Sequence, residues 1–270
     1  MCRLDHLAVW KLTAPLLLEN VSADKYSVYV PKSELKVFKR NTPQYFEILE
    51  QEELSIKFRR QLSRKCLEEN NKRRFGWYLQ QFMKFSALET SSSEKLIIWD
   101  SDCVPTSNIQ MFDEIGRPLY MFADEYNPVY FALIDRLLGL KRVQHQSFVI
   151  PGFPINKSWF IEFIDFIENR FQTKWYEALL ENIDFSLPSG FSETETLGTW
   201  VANNYSGQWD VTKYKWDRGG QSKFGYPKKL SPRQVQILAS EQRLDVVSFE
   251  KWDYRGLRLF ISKVKRAVLS

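Results

Sequence analysis

Histidine and cysteine are scarce in this chain: 270 residues carry two of the first and three of the second. With only His6 and His145 available, a zinc site built on several histidines is excluded. Cys2, Cys66 and Cys103 stand far apart and lack Cys-x-x-Cys spacing. That excludes a zinc ribbon or a disulfide scaffold and fits a reducing compartment. No run of about 18 apolar residues occurs, so no membrane span is expected. The stretch from His6 to Leu18 is interrupted by Lys11 and Pro15 and has no small-residue cleavage site, so it does not read as a signal peptide. A cytoplasmic protein is expected, with peripheral contact at the inner face of the membrane as a further option. Internal repeats and flexible linkers are lacking too, which points to a single domain over residues 1–270.

Aromatic residues, by contrast, are abundant: nine Trp, twelve Tyr and twenty Phe make up 15% of the chain. Most of these rings must be core, while an aromatic-rich cleft would suit nucleobases and sugar rings. Hydrophobic residues at 44% and charged residues at 26% exclude a disordered chain. The net charge of +5 is unevenly placed. Lys57 to Arg74 holds eight Lys/Arg against Glu68 and Glu69, and Lys251 to Ser270 holds six against Asp253. The remainder is net acidic. Two basic patches on an acidic body suit an anionic partner: a membrane surface, a phosphorylated substrate or nucleic acid. No nucleic-acid-binding motif is present, which counts against the last.

Short apolar runs alternate with helix-length segments, the pattern of an α/β sheet covered by helices. The pattern predicts strands at Leu7–Trp10 and Ser27–Val30, with a short helix at Ala14–Val21 between them. A basic helix is expected over Glu52–Asn71 and an amphipathic one over Phe75–Leu88, ended by the Ser91–Ser93 loop. Leu96-Ile97-Ile98-Trp99 reads as a central strand, since four consecutive apolar residues suit burial on both faces. Further strands are expected at Leu119–Ala123, Ser147–Ile150 and Val246–Phe249. Helices are expected at Lys157–Phe171, at Lys174–Asn182, from near Ser192, and, with a basic character, at Tyr254–Leu269.

Asp100 and Asp102 lie two residues apart, directly after the apolar strand. Carboxylates so spaced can turn toward one point at the carboxyl edge of a sheet, where open α/β sheets bind ligands. Two hard oxygen ligands suit Mg²⁺ or Mn²⁺ and leave coordination positions for substrate phosphates. A metal held there can neutralise the charge that develops on a departing diphosphate. The same Asp100-Ser101-Asp102 also reads as a plain turn whose side chains cap the backbone.

Trp99-Asp100-Ser101-Asp102 after Leu96-Ile97-Ile98 resembles the Asp-x-Asp motif of GT-A-fold nucleotide-sugar glycosyltransferases. Upstream, Phe75-Gly76-Trp77-Tyr78-Leu79-Gln80-Gln81-Phe82-Met83-Lys84 resembles the Gly-Trp-x-x-Gln-Gln-x-x-Lys helix of a bacterial GT-A-like family without assigned function, associated with surface-polysaccharide synthesis. Downstream, Phe191-Ser192-Glu193-Thr194-Glu195-Thr196-Leu197-Gly198 is similar to that family's Ser-Glu-x-x-x-x-Gly helix start. The three motifs keep the family's order between Phe75 and Gly198. The resemblance implies a GT-A-like (Rossmann-like) mixed sheet flanked by helices. It implies transfer of a sugar from a nucleotide-diphosphate donor to a hydroxyl of a glycan or lipid-linked acceptor, with Mn²⁺ or Mg²⁺ on Asp100 and Asp102. Trp77, Gln80, Gln81 and Lys84 would line the donor side together with Asp100 and Ser101.

Read without the resemblance, Trp77, Gln81 and Lys84 share a helix face by their spacing, as a solvated polar stripe also would. Ser192-Glu193-Thr194-Glu195 has the form of a capping box in which Glu195 reaches back to the cap. Glu193 is left at the first helical position, where the helix dipole favours an ionised carboxylate. Such a group can deprotonate an acceptor hydroxyl, and it can equally be an ordinary first-turn Glu. In inverting GT-A enzymes the base is an acidic residue at a similar helix start, so Glu193 is the expected base. His145 precedes the expected 147–150 strand, which lines the acceptor side in the resembling family, and is a second catalytic candidate. Many GT-A enzymes add a late His as a metal ligand, and no His follows His145 here. Arg218, followed by Gly219 and Gly220, can clamp a phosphate or belong to a surface turn. The C-terminal helix carries a basic face that can lie on an anionic membrane or face solvent. Two alternatives stand beside the inverting enzyme: a retaining transferase in which Glu193 only positions substrate, and a non-catalytic anion-binding module using Lys57–Arg74.

Overall fold

Residues 1–250 and Asp253 are described in the computed structural model of the chain. The helix expected at Tyr254–Leu269 lies outside the described residues. Helix α1 (Leu7–Asn20) leads to strand β1 (Tyr26–Val30), helix α2 (Leu35–Asn41) and strand β2 (Phe46–Glu50). Helices α3 (Gln51–Ser55), α4 (Arg59–Glu68) and α5 (Phe75–Thr90) follow, then strands β3 (Lys95–Trp99), β4 (Cys103–Pro105) and β5 (Leu119–Met121). Next come helix α6 (Pro128–Leu138), strand β6 (Gly152–Asn156) and helices α7 (Lys157–Phe171), α8 (Trp175–Asn182) and α9 (Glu193–Asn204). Strands β7 (Asp210–Thr212) and β8 (Trp216–Asp217), helices α10 (Gly220–Phe224) and α11 (Pro232–Glu241), and strand β9 (Val246–Ser248) complete the series.

The architecture is mixed α/β, with strands paired in small groups: β1 with β2, β3 with β6, β5 with β7, and β9 between β4 and β8. β4 is antiparallel to β9, whereas β8 is parallel to β9 and β5 to β7. Two compact units form from interleaved segments. The first takes Met1–Leu49, Trp99–Gln110 and the described residues from Lys213; the second takes Glu50–Ile98 and Met111–Thr212. The chain thus passes between units at 49/50, 98/99, 110/111 and 212/213.

In the first unit, α1 replaces the strand and short helix that the sequence suggests. Val9, Leu12, Thr13, Leu16 and Asn20 are buried at helical spacing, and Pro15 sits inside the helix. Lys11 and Pro15 interrupt the apolar run without changing its period. Val9, Leu12 and Leu16 pack with Val104, Val235, Val247 and Phe249, so α1 and α11 cover the β4–β9–β8 sheet.

The second unit is built on aromatic rings. Phe85 of α5 contacts Phe160, Phe163, Trp175 and Phe191 at centroid distances of 5.5 to 5.8 Å. A single helix over Glu52–Asn71 is not formed, because a turn at Ile56–Phe58 buries Phe58 and separates α3 from α4. β3 lies where expected, but it is half-buried rather than buried on both faces, and its strand neighbour is β6. Ser147–Ile150 is not a strand: the Ser147 N–H donates to Ala123 O and the Phe148 N–H to a carboxylate of α9. α6 was missed, although its signals are local. Asn127 accepts from the Val129 N–H as cap, Pro128 opens the helix, and Gly139 closes it at φ +67°. Among the described residues no helix is long and apolar enough to cross a membrane.

Candidate functional site

Helix α9 starts at a cap: Ser192 Oγ accepts from the Glu195 N–H at 3.2 Å. Glu193 follows at the first helical position, where a helix leaves its N–H without an internal partner. That N–H donates to Gln81 Oε1 at 3.1 Å. Lys84 Nζ donates to Glu193 Oε1 at 2.5 Å. Gln81 and Lys84 are three residues apart on α5, so one helix face grips both the backbone and the carboxylate of Glu193. Lys84 and Glu193 are 6% and 3% exposed, which makes this a buried ion pair. Tyr130 of α6 lies beside it: burial raises its hydroxyl above the usual tyrosine range, and the charges of Glu125 and Glu193 act in the same direction.

Glu195 departs from the expected capping box. Its Oε2 accepts from Ser147 Oγ at 2.6 Å and from the Phe148 N–H at 3.1 Å, so it ties α9 to the 147–148 segment. Burial pushes its carboxyl above the ordinary glutamate range, and the two hydrogen bonds oppose that shift. Gly198, one turn along, permits a close approach on the same side. A Cβ there would lie 1.9 Å from Phe148 Cγ, so the ring rests directly on the helix backbone. The Ser-Glu-x-x-x-x-Gly pattern therefore combines a cap, a paired carboxylate and a seat for a ring.

In the first unit, Asp100 and Asp102 flank Ser101 in a tight turn closed by the Cys103 N–H on Asp100 O at 3.0 Å. Trp99 Nε1 spans the same turn to Cys103 O at 2.7 Å. Both carboxylates are half-buried. The pairing of Cys103 with Ser248 brings Asp102 level with Phe249, whose N–H donates to Asp102 O at 2.8 Å. A bridge pairs Gly219 with Phe249, so Arg218 and Glu250 reach the same edge of the β4–β9–β8 sheet. Arg218 lies 5.0 Å over the Trp216 ring and 3.4 Å from Glu250 Oε1. The Cys103 thiol registers the local charge: burial raises its pKa first, then Asp102 and Asp100. Ser101, expected to contact donor, is buried and hydrogen-bonded to Cys2, whose own thiol burial pushes up to about 11. Among the described residues no group of three or more His, Cys, Asp or Glu is poised for a metal ion. Asp100 and Asp102 form a hard-oxygen pair, a donor set that fits Mg²⁺ or Mn²⁺ completed by water and substrate oxygens.

The remaining expected site residues are distributed otherwise. Lys84 Nζ and Gln81 Oε1 bond the carboxylate and the N–H of Glu193. Trp77 is half-buried, with the Arg74 guanidinium 4.3 Å over its ring, and Gln80 is half-buried on α5. His145 is exposed in the loop after α6, where its carbonyl accepts from Arg142 Nη2. Tyr130 and Ser147 join the cluster around α9 unforeseen. The Asn127-Pro128 helix start could have put Tyr130 on α6; nothing in the local sequence marked Ser147.

No family model matches the chain, and no curated protein matches it. A solved structure, mouse xyloside xylosyltransferase 1 in its apo form, is similar over 91% of this chain and 93% of that one, with 11% identity and a TM-score of 0.44. At that level of likeness the site is read from its own residues.

Removing one partner of a buried ion pair strands the other, so Lys84→Met should lower stability by about 3–5 kcal/mol. The double variant with Glu193→Leu should lose much less than the two single losses combined. Denaturant unfolding measures this cycle, and strictly additive losses would contradict the pairing. For Glu195 the folded carboxyl keeps its proton to higher pH than the ordinary value of 4.5. Its contribution to stability is therefore present at acid pH and declines as pH rises from that value through the folded pKa. Glu195→Gln keeps an acceptor oxygen for Ser147 and Phe148 and should lose this decline. Parallel stability curves for the two proteins between about pH 4 and 8 would contradict the assignment.

Proposed function

We propose that this chain is a metal-dependent glycosyltransferase that moves a sugar from a nucleotide-diphosphate donor to a hydroxyl of a glycan or lipid-linked acceptor. The observation behind the reading is the sheet edge where Asp100 and Asp102 leave one turn and Arg218 arrives beside β9. A departing diphosphate develops negative charge that a divalent cation and a guanidinium can neutralise. Asp100 and Asp102 would hold Mn²⁺ or Mg²⁺, which supplies charge neutralisation on the departing diphosphate. Arg218, paired with Glu250 and flanked by Gly219, binds diphosphate oxygens through its planar fork. The likeness of Trp99–Asp102 to an Asp-x-Asp motif supports the same assignment, and surface-polysaccharide synthesis is the setting that the α5 and α9 motifs suggest.

Glu193 has two possible roles. As a base it must take a proton while an ammonium sits 2.5 Å away and almost no surface is open. Lys84 already occupies one oxygen of this carboxylate, and its burial leaves an acceptor hydroxyl little access. Both constraints favour the retaining alternative, in which the leaving phosphate assists acceptor attack and the Lys84–Glu193 pair fixes the acceptor-side helix start. Asp100→Asn and Asp102→Asn should each cut Mn²⁺-dependent release of nucleoside diphosphate by about 10²–10³-fold with the fold intact. The product of the unaltered enzyme should keep the donor's anomeric configuration. Full activity in both variants would overturn the metal assignment, and an inverted product would restore Glu193 as the base.

A second reading concerns α4 and its surroundings. Arg59, Arg60, Arg64, Lys72 and Arg73 are exposed, and Leu67 on the same helix is 63% exposed. Leu62 and Cys66 bury the opposite face. An apolar residue within a basic stripe favours an anionic membrane surface over nucleic acid. Sedimentation with phosphatidylcholine vesicles should capture the protein only when phosphatidylglycerol is added, and Arg60→Glu with Arg64→Glu should abolish capture. Equal capture of the double variant would remove this surface from consideration.

A further inference from the structure

The segment from β5 through α6 to Ser147 carries an aromatic surface that the transfer chemistry does not use. Tyr126 and Phe131 stack with ring centroids 5.3 Å apart and planes at 16°. Arg142 sets its guanidinium 5.2 Å from both ring centroids. Its Nη2 also donates to the His145 carbonyl, which ties the loop after α6 to the stacked pair. The rings are not hidden by this packing: Tyr126 is 61% exposed, and Phe122 nearby in sequence is 55% exposed. Exposed aromatic rings held rigid by a stack and a cation are costly to leave in water and suit a ligand with one apolar face.

The polar groups around the rings narrow the ligand. Asp124, two residues before Tyr126, is exposed, and Glu125 lies within electrostatic reach of both Tyr130 and Glu195. Arg142 acts on Glu195 as well. Arg142 Nε and Gln144 Nε2 are shut from solvent with no hydrogen-bond partner among the described residues. Flat rings with a guanidinium against them and acidic residues just before Tyr126 match a pyranose, whose C–H face stacks on an aromatic while its equatorial hydroxyls bond to polar groups. The acidic groups disfavour an anionic lipid surface at this position.

We propose that the Tyr126–Phe131–Arg142 platform is a carbohydrate-binding subsite that receives a pyranose ring of the acceptor glycan. Arg142 bonds the His145 carbonyl, and two residues on, Ser147 Oγ and the Phe148 N–H donate to Glu195, so the platform's loop leads directly to the start of α9. The acceptor role rests on the transfer reading above; the binding itself does not.

The test is binding of fluorescently labelled full-length protein to a printed glycan array, with neither nucleotide sugar nor divalent metal present. The unaltered protein should bind at least one class of neutral glycan. Tyr126→Ala should weaken that signal at least tenfold, and Tyr126→Trp should retain it. A melting midpoint for Tyr126→Ala equal to the unaltered protein's will identify the loss as local. No binding by the unaltered protein, or equal binding by Tyr126→Ala, overturns the platform. Array binding without turnover of any nucleotide sugar keeps the platform and removes the transfer reading, whereas turnover without array binding removes the platform alone.

Discussion

One contact organises the second unit: the buried ammonium of Lys84 against the carboxylate of Glu193. Each ion costs several kcal/mol to take out of water, and only close geometry with further hydrogen bonds offsets that. Here the offset comes from the 2.5 Å contact and from Gln81, which takes the neighbouring backbone N–H. Apolar residues of similar size would often hold two helices together as well. Stability alone therefore gives little reason for a Lys and a Glu at this position. A carboxylate fixed at a helix start, with its orientation set from a second helix, is what the pair supplies beyond stability. The adjoining Glu195 bonds and the Gly198–Phe148 contact extend the same constraint along α9.

The first unit solves a different electrostatic problem. Two carboxylates two residues apart repel each other, and here the two residues flank one tight turn. The turn is fixed by the Cys103 N–H on Asp100 O, by the Trp99 indole across it, and by the Phe249 N–H on Asp102 O. These contacts use backbone oxygens, Cys103 Sγ donates to Asp102 Oδ1 at 3.7 Å, and both Asp residues are half-buried at a sheet edge. Arg218 and Glu250 add one charge of each sign at that edge. Such an arrangement is suited to a divalent cation with an anionic ligand, because each incoming charge meets an opposite one already in position.

Much of this was legible in the sequence where the signal is local. Lys157–Phe171 carries an uninterrupted helical period and forms as read, and the strand expected over Val246–Phe249 forms over Val246–Ser248. α1 was misread because Lys11 and Pro15 looked like punctuation, although the buried positions keep a 3.6-residue period through them. The sequence marks Gln81 and Lys84 in one motif and Glu193 in another, but not the bonds between them. Those bonds join positions more than a hundred residues apart, and no local pattern encodes them. Glu195 illustrates the same limit. Its spacing from Ser192 fits a capping box, yet its carboxylate bonds the hydroxyl of Ser147 and the N–H of Phe148 from a distant segment instead of the cap. The Tyr126–Phe131 stack was visible only as part of a high aromatic content, since exposure cannot be read from composition.

The central claim is that Asp100 and Asp102 bind a nucleotide sugar through a divalent ion. Thermal unfolding in the presence of a panel of uridine-, guanosine-, cytidine- and thymidine-diphosphate sugars, with and without Mn²⁺, tests it most directly. The account predicts that at least one nucleotide sugar raises the midpoint when Mn²⁺ is present and that chelation removes the shift. Ligand at about a hundred times its dissociation constant adds roughly 2.7 kcal/mol, a shift that such a scan resolves. A midpoint unmoved by every nucleotide sugar, or moved equally with and without the metal, would contradict it.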